Sequence, residues 1–242
     1  MWPFAIRQTM KNSGLLIGSA DYHSHILPAV DDGVQTMDEA LEILACLEQH
    51  GVARLWLTPH VMEDIPNTTE RLKLHFARLM AEYRGSIKLN LAAEYMLDNL
   101  FDARLADNDL LPIGEQGDHI LVETSFFNPS MRLYDTLARI KSKGFHPLLA
   151  HPERYMYMGE KDYKTLKAAG VKFQLNWASL AGRYGSSVQK RAKWLVENNM
   201  YAVAGSDTHS VAMRHWEMKI DATVVKKIKA SCMLVRCRER NL

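Results

Sequence analysis

Asp21-Tyr22-His23-Ser24-His25, set just past the apolar run Leu15-Leu16-Ile17, is the stretch from which the rest of the chain is read. Side chains of a strand alternate with period two, so His23 and His25 are expected on the same side. The pattern then repeats. His60 ends Leu55-Trp56-Leu57-Thr58-Pro59-His60, Glu94 follows Ile87-Lys88-Leu89-Asn90-Leu91, and Glu123 follows Ile120-Leu121-Val122. His151 follows Leu148-Leu149-Ala150, and Asp207-Thr208-His209 follows Tyr201-Ala202-Val203-Ala204. Imidazoles and carboxylates at successive strand ends are the donors a cluster of divalent cations needs.

Between these runs lie helical patterns. Thr36 with Glu39 three residues on is a capping box, followed by the stripe Met37, Ala40, Leu41, Leu44 and Leu47 and closed by His50-Gly51. Thr68 or Thr69 opens a second helix with Leu72, Phe76, Leu79 and Tyr83 on one face. Pro129 and Ser130 open a third, carrying Leu133, Leu137 and Ile140 and ending at Gly144. A shorter helix runs to Gly170, and another starts near Ser187 and bears Val188, Ala192 and Leu195. The unit is helix, Gly or Asn, strand, donor, which predicts a parallel sheet of about seven strands. An open doubly wound sheet gathers its ligands at one switch point. Donors at the ends of six strands favour closure, so the expected fold is α/β, a single-domain distorted (β/α)7 TIM-like barrel with a metal site on the C-terminal rim. Residues 98–118 fit the rhythm poorly: 99–105 read as helix and 112–117 as turn.

One domain spanning 1–242 is expected, with residues 1–14 as an arm and 221–242 as a basic tail (Lys226, Lys227, Lys229, Arg236, Arg238, Arg240). The chain is 47% apolar and 24% charged, as globular proteins are. A formal charge of +2 gives no argument for nucleic acid or an acidic membrane. Cys46, Cys232 and Cys237 form no disulfide framework, which points to a reducing compartment. Residues 14–20, behind Arg7 and Lys11, faintly mimic a signal peptide. Cleavage after Ala20 would separate the apolar run from the His-x-His it positions, so the expected location is cytoplasmic. No run approaches the ~20 apolar residues of a membrane span.

Taken singly, each donor has an ordinary explanation. A lone His-x-His is weak, Asp32 could cap the turn at Asp31-Asp32-Gly33, and Glu94 and Glu123 could be helix N-terminal acids. The coincidence of nine candidates on one rim (His23, His25, Asp32, His60, Glu94, Glu123, His151, Asp207 and His209) favours the metal reading. By contrast, His50, His75, His119, His146 and His215 fall at helix ends, within helices or before strands and read as structural. Cys232 and Arg238 satisfy a Cys-x5-Arg count, but no glycine between them could form a phosphate-cradling loop. No Gly-rich nucleotide loop occurs.

The segments 21–33 (DYHSHILPAVDDG), 58–60 (TPH), 93–95 (AEY), 151–155 (HPERY) and 206–209 (SDTH) resemble the polymerase-and-histidinol-phosphatase (PHP) superfamily. With 175–185 (LNWASLAGRYG), they are most similar to its capsule-associated bacterial protein tyrosine phosphatases. The resemblance covers about residues 21–215. It implies a distorted (β/α)7 barrel and three divalent metal ions, manganese foremost, with iron, zinc, cobalt or magnesium as alternatives. It places the ligands on the nine residues above and the phosphate-binding arginines on Arg154 and Arg214. The implied substrate is a phosphotyrosine protein, a bacterial tyrosine kinase of capsule or exopolysaccharide assembly. A histidinol-phosphate-like small-molecule phosphoesterase and a non-catalytic metal-stabilised regulator are the alternatives.

Charge then suggests a mechanism. Three divalent ions would bring six positive charges against Asp32, Glu94, Glu123 and Asp207, and a bridging hydroxide would leave the cluster near +1. Metal lowers the pKa of bound water toward neutrality, so a hydroxide nucleophile needs no protein base. Arg154 would fork onto the phosphoryl oxygens, its ordinary alternative being a salt bridge with Glu153. The leaving phenolate, with a pKa of about 10, needs little protonation.

Overall fold

Thr58-Pro59 and Ala92-Ala93 interrupt two apolar runs, and these breaks shape the sheet of the protein. The structure is a computed structural model that describes residues 6–128 and 130–231. In chain order it contains β1 (Arg7–Thr9), α1 (Met10–Ser13), β2 (Ser19–Asp21), α2 (Met37–Gln49), β3 (Val52–Leu57), β4 (His60–Val61) and α3 (Thr69–Glu82). β5 (Lys88–Leu91), β6 (Glu94–Met96), α4 (Asn99–Asp107), β7 (His119–Glu123), α5 (Leu133–Ser142), β8 (His146–Ala150) and α6 (Glu160–Ala168) follow. Last come β9 (Lys172–Asn176), α7 (Trp177–Ala181), α8 (Ser186–Glu197), β10 (Val203–Gly205), β11 (Lys219–Asp221) and α9 (Ala222–Ala230).

The sheet is parallel in two pieces, β2-β3-β5 and β4-β6-β7-β8-β9-β10. Pro59 has no N–H to give a ladder, so the pairing breaks there. It is carried over the gap by Ala92 N–H donating to Leu57 O (2.9 Å) and Glu94 N–H to Pro59 O (3.0 Å). The outer edges also meet: Tyr22 N–H donates to Ala204 O, Asp207 N–H to His23 O and His25 N–H to Thr208 O, all within 3.1 Å. The result is an α/β fold with a curled parallel sheet.

Alternation divides the core in two. Leu121, Leu148, Ala150, Trp56, Ala92 and Val203 pack inside the curl. Their neighbours Ile120, Val122, Leu149, Leu55, Leu57 and Ala204 face the helices. Those helices bury Ala40, Leu44 and Leu47 of the stripe read for α2, with Met37 and Leu41 half-buried and Ile43 added, and Leu133, Leu137 and Ile140 of α5. Thr36 and Thr68 cap α2 and α3 by accepting from Glu39 N–H and Arg71 N–H. The third predicted helix begins at Leu133 rather than at 129–130. A short helix that the periodicity did not suggest, α7, is capped by Asn176, which accepts from Ala178 N–H at 2.8 Å, and stops at Gly182 with φ +87°.

Within the expected arm and basic tail, the described residues form regular elements. β1 pairs antiparallel with β11, and Met10 beside it is fully buried. α9 packs Val224, Val225 and Ile228 against the core while Lys226 and Lys229 face solvent. Cys232, Arg236, Cys237, Arg238 and Arg240 lie outside the described residues. No helix among the described residues is long and apolar enough to cross a membrane.

Candidate metal centre

All nine predicted donors meet at one end of the curl. Their ligand atoms form four groups, each within 4.8 Å: His25, Asp32, His60 and His209; His23, His25 and Asp207; His23, Glu94 and His151; His60, Glu94 and Glu123. Glu94 stands at the centre. Its Oε2 lies 3.0 Å from His23 Nε2, 3.3 Å from His25 Nε2 and 3.2 Å from His60 Nδ1, and its Oε1 lies 3.1 Å from His151 Nε2. Asp207 Oδ1 lies 3.3 Å from His25 Nε2 and 3.4 Å from His23 Nε2. Asp32, mostly exposed, sits 3.6 Å from His60 Nε2 and 3.7 Å from His209 Nε2.

Strand phase explains only part of this convergence. Glu94 and Glu123 share the inward phase of Ala92 and Leu121. His23 does not follow from strict alternation, because Tyr22 already packs inward. The Asp21 carboxylate accepts the His23 N–H (3.1 Å), an Asx-type turn that shifts the phase by one residue. His151 would share the outward side of Leu149. Its left-handed backbone (φ +33°) turns the imidazole inward instead.

The imidazoles are held from behind. His25 Nδ1 donates to Asp31 Oδ2 (2.8 Å), His23 Nδ1 to Gln174 Oε1 (2.9 Å) and His209 Nδ1 to the Asp207 carbonyl (2.9 Å). A proton fixed on Nδ1 leaves the Nε2 lone pair for the cluster, as metal-binding histidines require. The two Nε2 atoms of His23 and His25 stand only 3.0 Å apart, facing the same two carboxylates. His60 Nδ1 is buried with no hydrogen-bond partner although Glu94 and Glu123 oxygens lie 3.2 Å away. Imidazole lone pairs and carboxylate oxygens aimed at shared points fit divalent cations better than a hydrogen-bond network.

The electrostatics agree. Burial opposes charge on His23, but Glu94 and Asp207 outweigh it and push its pKa up to about 9. His25 is also driven up despite burial, chiefly by Asp31. Burial opposes ionisation of Glu94 and Asp207 too, yet His23 beside both holds them well below the usual carboxylate range. Without cations, the centre keeps protons where cations would sit.

The donors open into a cavity of about 430 Å³, walled also by Met62, Met96, Phe126, Arg154, Arg183, Tyr184 and Met213. Arg154 Nη1 donates to Asp207 Oδ2 (3.0 Å), not to its neighbour Glu153. Glu153 is instead fully buried, accepting from Asn176 N–H and the Tyr201 hydroxyl. Arg214 is exposed between two 3-10 turns and does not line the cavity, whereas Arg183 does. His50, His75, His119, His146 and His215 all fall outside the cluster.

Sequence reading missed Asp31, Gln174, Asn176, Phe126, Arg183 and Tyr184. A signal existed for Gln174, an amide set between the apolar Phe173 and Leu175, and for Asp31, doubled beside Asp32. Nothing local marked Phe126.

Comparison with known proteins bears on the same region. Residues 19–236 match the model of the family described as "Capsular polysaccharide synthesis, CpsB/CapC". The tyrosine-protein phosphatase YwqE of Bacillus subtilis is 25% identical over 213 residues, covering 86% of this chain and 84% of that one. The tyrosine-protein phosphatase CpsB of Streptococcus pneumoniae is 27% identical over 207 residues, covering 80% and 84%. A chain from the crystal structures of those two proteins, described as "unique metal-dependent tyrosine phosphatases", superposes with a TM-score of 0.72. It is 24% identical, over 87% of this chain and 86% of that one, a likeness of fold.

Proposed function

This chain belongs to the CpsB/CapC family of capsular polysaccharide synthesis, and from that membership and its rim of donors we propose that it is a metal-dependent protein tyrosine phosphatase. The observation that carries the reading is the meeting of nine imidazole and carboxylate donors at the strand ends, three of the imidazoles oriented from behind. The relatives named tyrosine-protein phosphatases support it. We take β3 with β4, and β5 with β6, as single interrupted strands, which makes the curl a distorted seven-stranded barrel.

In this reading the nine residues hold three divalent ions, manganese foremost. Bound ions supply positive charge for the phosphoryl oxygens and acidify coordinated water toward neutrality. The chain's own residues do the rest. Arg154, with one N–H on Asp207, offers its remaining donors to the phosphoryl group. Met62, Met96, Met213 and Phe126 give the aryl group an apolar wall and keep bulk water away. Phenolate leaves with a pKa of about 10, so the site needs no dedicated acid. Arg214, exposed beside the cavity-lining Met213, would reach only the outer part of a bound substrate. The substrate is a phosphotyrosine protein, a tyrosine kinase of capsule or exopolysaccharide assembly, met in the cytoplasm.

The test is release of phosphate from a phosphotyrosine peptide by purified protein with Mn²⁺, with chelator, and as His209→Ala. Turnover that needs metal and falls in His209→Ala is expected. Metal-independent turnover abolished by Cys232→Ser would overturn the mechanism. A higher kcat/KM on histidinol phosphate than on the peptide would move the substrate to a small molecule.

A further inference from the structure

Arg154 is held by groups from three separate loops. Its guanidinium carbon lies 4.2 Å from the Phe126 ring centroid and 4.3 Å from that of Tyr184, and its Nη1 donates to Asp207 Oδ2. Phe126 comes from the loop after β7, and its carbonyl accepts the Met156 N–H (2.8 Å) just beyond Arg154. Tyr184 stands between Gly182 and Gly185, both at positive φ, a bend that turns its ring into the cavity. Asn176 Nδ2 closes the set, donating to Asp207 Oδ2 (2.8 Å) and to the Tyr184 hydroxyl (3.4 Å).

We infer that Phe126 and Tyr184 are positioning residues that clamp Arg154, so that it presents only its edge to an incoming phosphoryl group. The inference rests on the phosphatase reading for its ligand, a tetrahedral oxyanion, but not on turnover. A free arginine loses much rotamer freedom on binding an anion. One whose planar face is stacked has already lost it, and its in-plane N–H donors remain for oxygens. Cation–π contact with two rings is worth enough to hold that orientation against solvent. Asp207 Oδ2 fixes the rotation in plane, while Oδ1 stays with the imidazoles. Because the rings act on phosphate through Arg154, removing them weakens phosphate binding only while Arg154 is present.

The experiment is a double-mutant cycle on manganese-loaded protein, read first as the Kd of inorganic phosphate by calorimetry and then as kcat/KM on a phosphotyrosine peptide. Phe126→Leu and Tyr184→Leu should each weaken phosphate binding about three- to thirtyfold, the range that two-ring cation–π contact covers. Tyr184→Phe, which keeps the ring, should restore binding to near the native value. In an Arg154→Ala background the leucine substitutions should change phosphate affinity by less than twofold. Equal losses with and without Arg154 would overturn the clamp, as would native affinity in both leucine variants or failure of Tyr184→Phe to rescue. If the peptide is not hydrolysed by the native enzyme, the phosphatase reading fails, while phosphate affinity still decides the clamp. Manganese stoichiometry measured on each variant separates a lost clamp from a collapsed metal site: full loading with weak phosphate binding supports the clamp, and loss of manganese overturns it.

Discussion

Gln174→Met is the most informative single change behind the metal centre, because it nearly keeps side-chain volume and removes the amide: its nitrogen, which donates to the Leu175 carbonyl, and its oxygen. That oxygen accepts two hydrogen bonds, from His23 Nδ1–H at 2.9 Å and from the His151 backbone N–H at 3.2 Å. Gln174 and both donor residues are buried. Two buried donors left without partners would cost about 1–3 kcal/mol each, so folding stability should fall by roughly 2–6 kcal/mol. The effect on metal is separate. Freed from Gln174, the His23 proton can move to Nε2, which withdraws the lone pair facing Glu94 and Asp207. Loss of such a supporting partner weakens metal affinity about 10–100-fold, or roughly 1.4–2.7 kcal/mol. Gln174→Glu keeps an acceptor at the same place and should bind metal at least as well as the native protein. Calorimetric Mn²⁺ titration at fixed pH, with urea unfolding of the metal-free proteins, measures both quantities. Native manganese affinity in Gln174→Met, or equally weak binding in Gln174→Glu, would refute the orienting role.

Asp31→Ala should reduce manganese affinity by about 10–100-fold in the same titration, since Asp31 fixes the His25 proton and also accepts the His60 N–H. Gly33→Ala should destabilise by about 1–3 kcal/mol in denaturant melts, because a Cβ there would lie 2.2 Å from the His25 carbonyl oxygen, which the Val34 N–H holds in place. His215 should make stability acid-sensitive. Burial, with His50 adding to it, pushes its pKa down to about 3, so below the unfolded value near 6.5 the unfolded chain takes up a proton that the fold refuses. Its contribution is whole above pH ~6.5 and is lost as pH falls toward 3, by up to about 1.4 kcal/mol per pH unit. His215→Asn should flatten the slope of unfolding free energy between pH 6 and 4 relative to the native protein, and an unchanged slope would remove His215 from the account.

Much of the fold could be read because one periodicity governs it. His119–Glu123 and His146–Ala150 are apolar save at their ends, Val52–Leu57 is broken inside only by Arg54, and the helices before Val52 and His146 close with His50-Gly51 and Lys143-Gly144. What escaped was tertiary. The pairing of Arg7–Thr9 with Lys219–Asp221 joins segments more than 200 residues apart, and neither carries a pattern strong enough to announce a strand. Helix α7 is too short for a periodic stripe; only the Asn176 cap and Gly182 mark it.

The site divides along the same line. Groups that would touch a cation sit at strand ends, where residue type and position together are informative, so His60, Glu94 and Glu123 could be proposed from sequence. Groups that hold them, such as Gln174 for His23 and Asn176 for Asp207, lie on β9, beside β10 and one strand further from β2, and only the parallel register brings them alongside. The arrangement also favours the proposed metal centre over a purely structural ion-pair network. Glu94 and Asp207 are nearly inaccessible to water, and each faces more than one imidazole nitrogen with the same oxygen. Without a cation, the carboxylates draw protons onto both His23 and His25, whose Nε2 atoms stand only 3.0 Å apart in a buried site. A divalent ion in place of those protons meets the carboxylates with charge already paired and lets both imidazoles stay neutral. The supports on Nδ1 suit that state, because they leave the Nε2 lone pair of each neutral imidazole free for a cation.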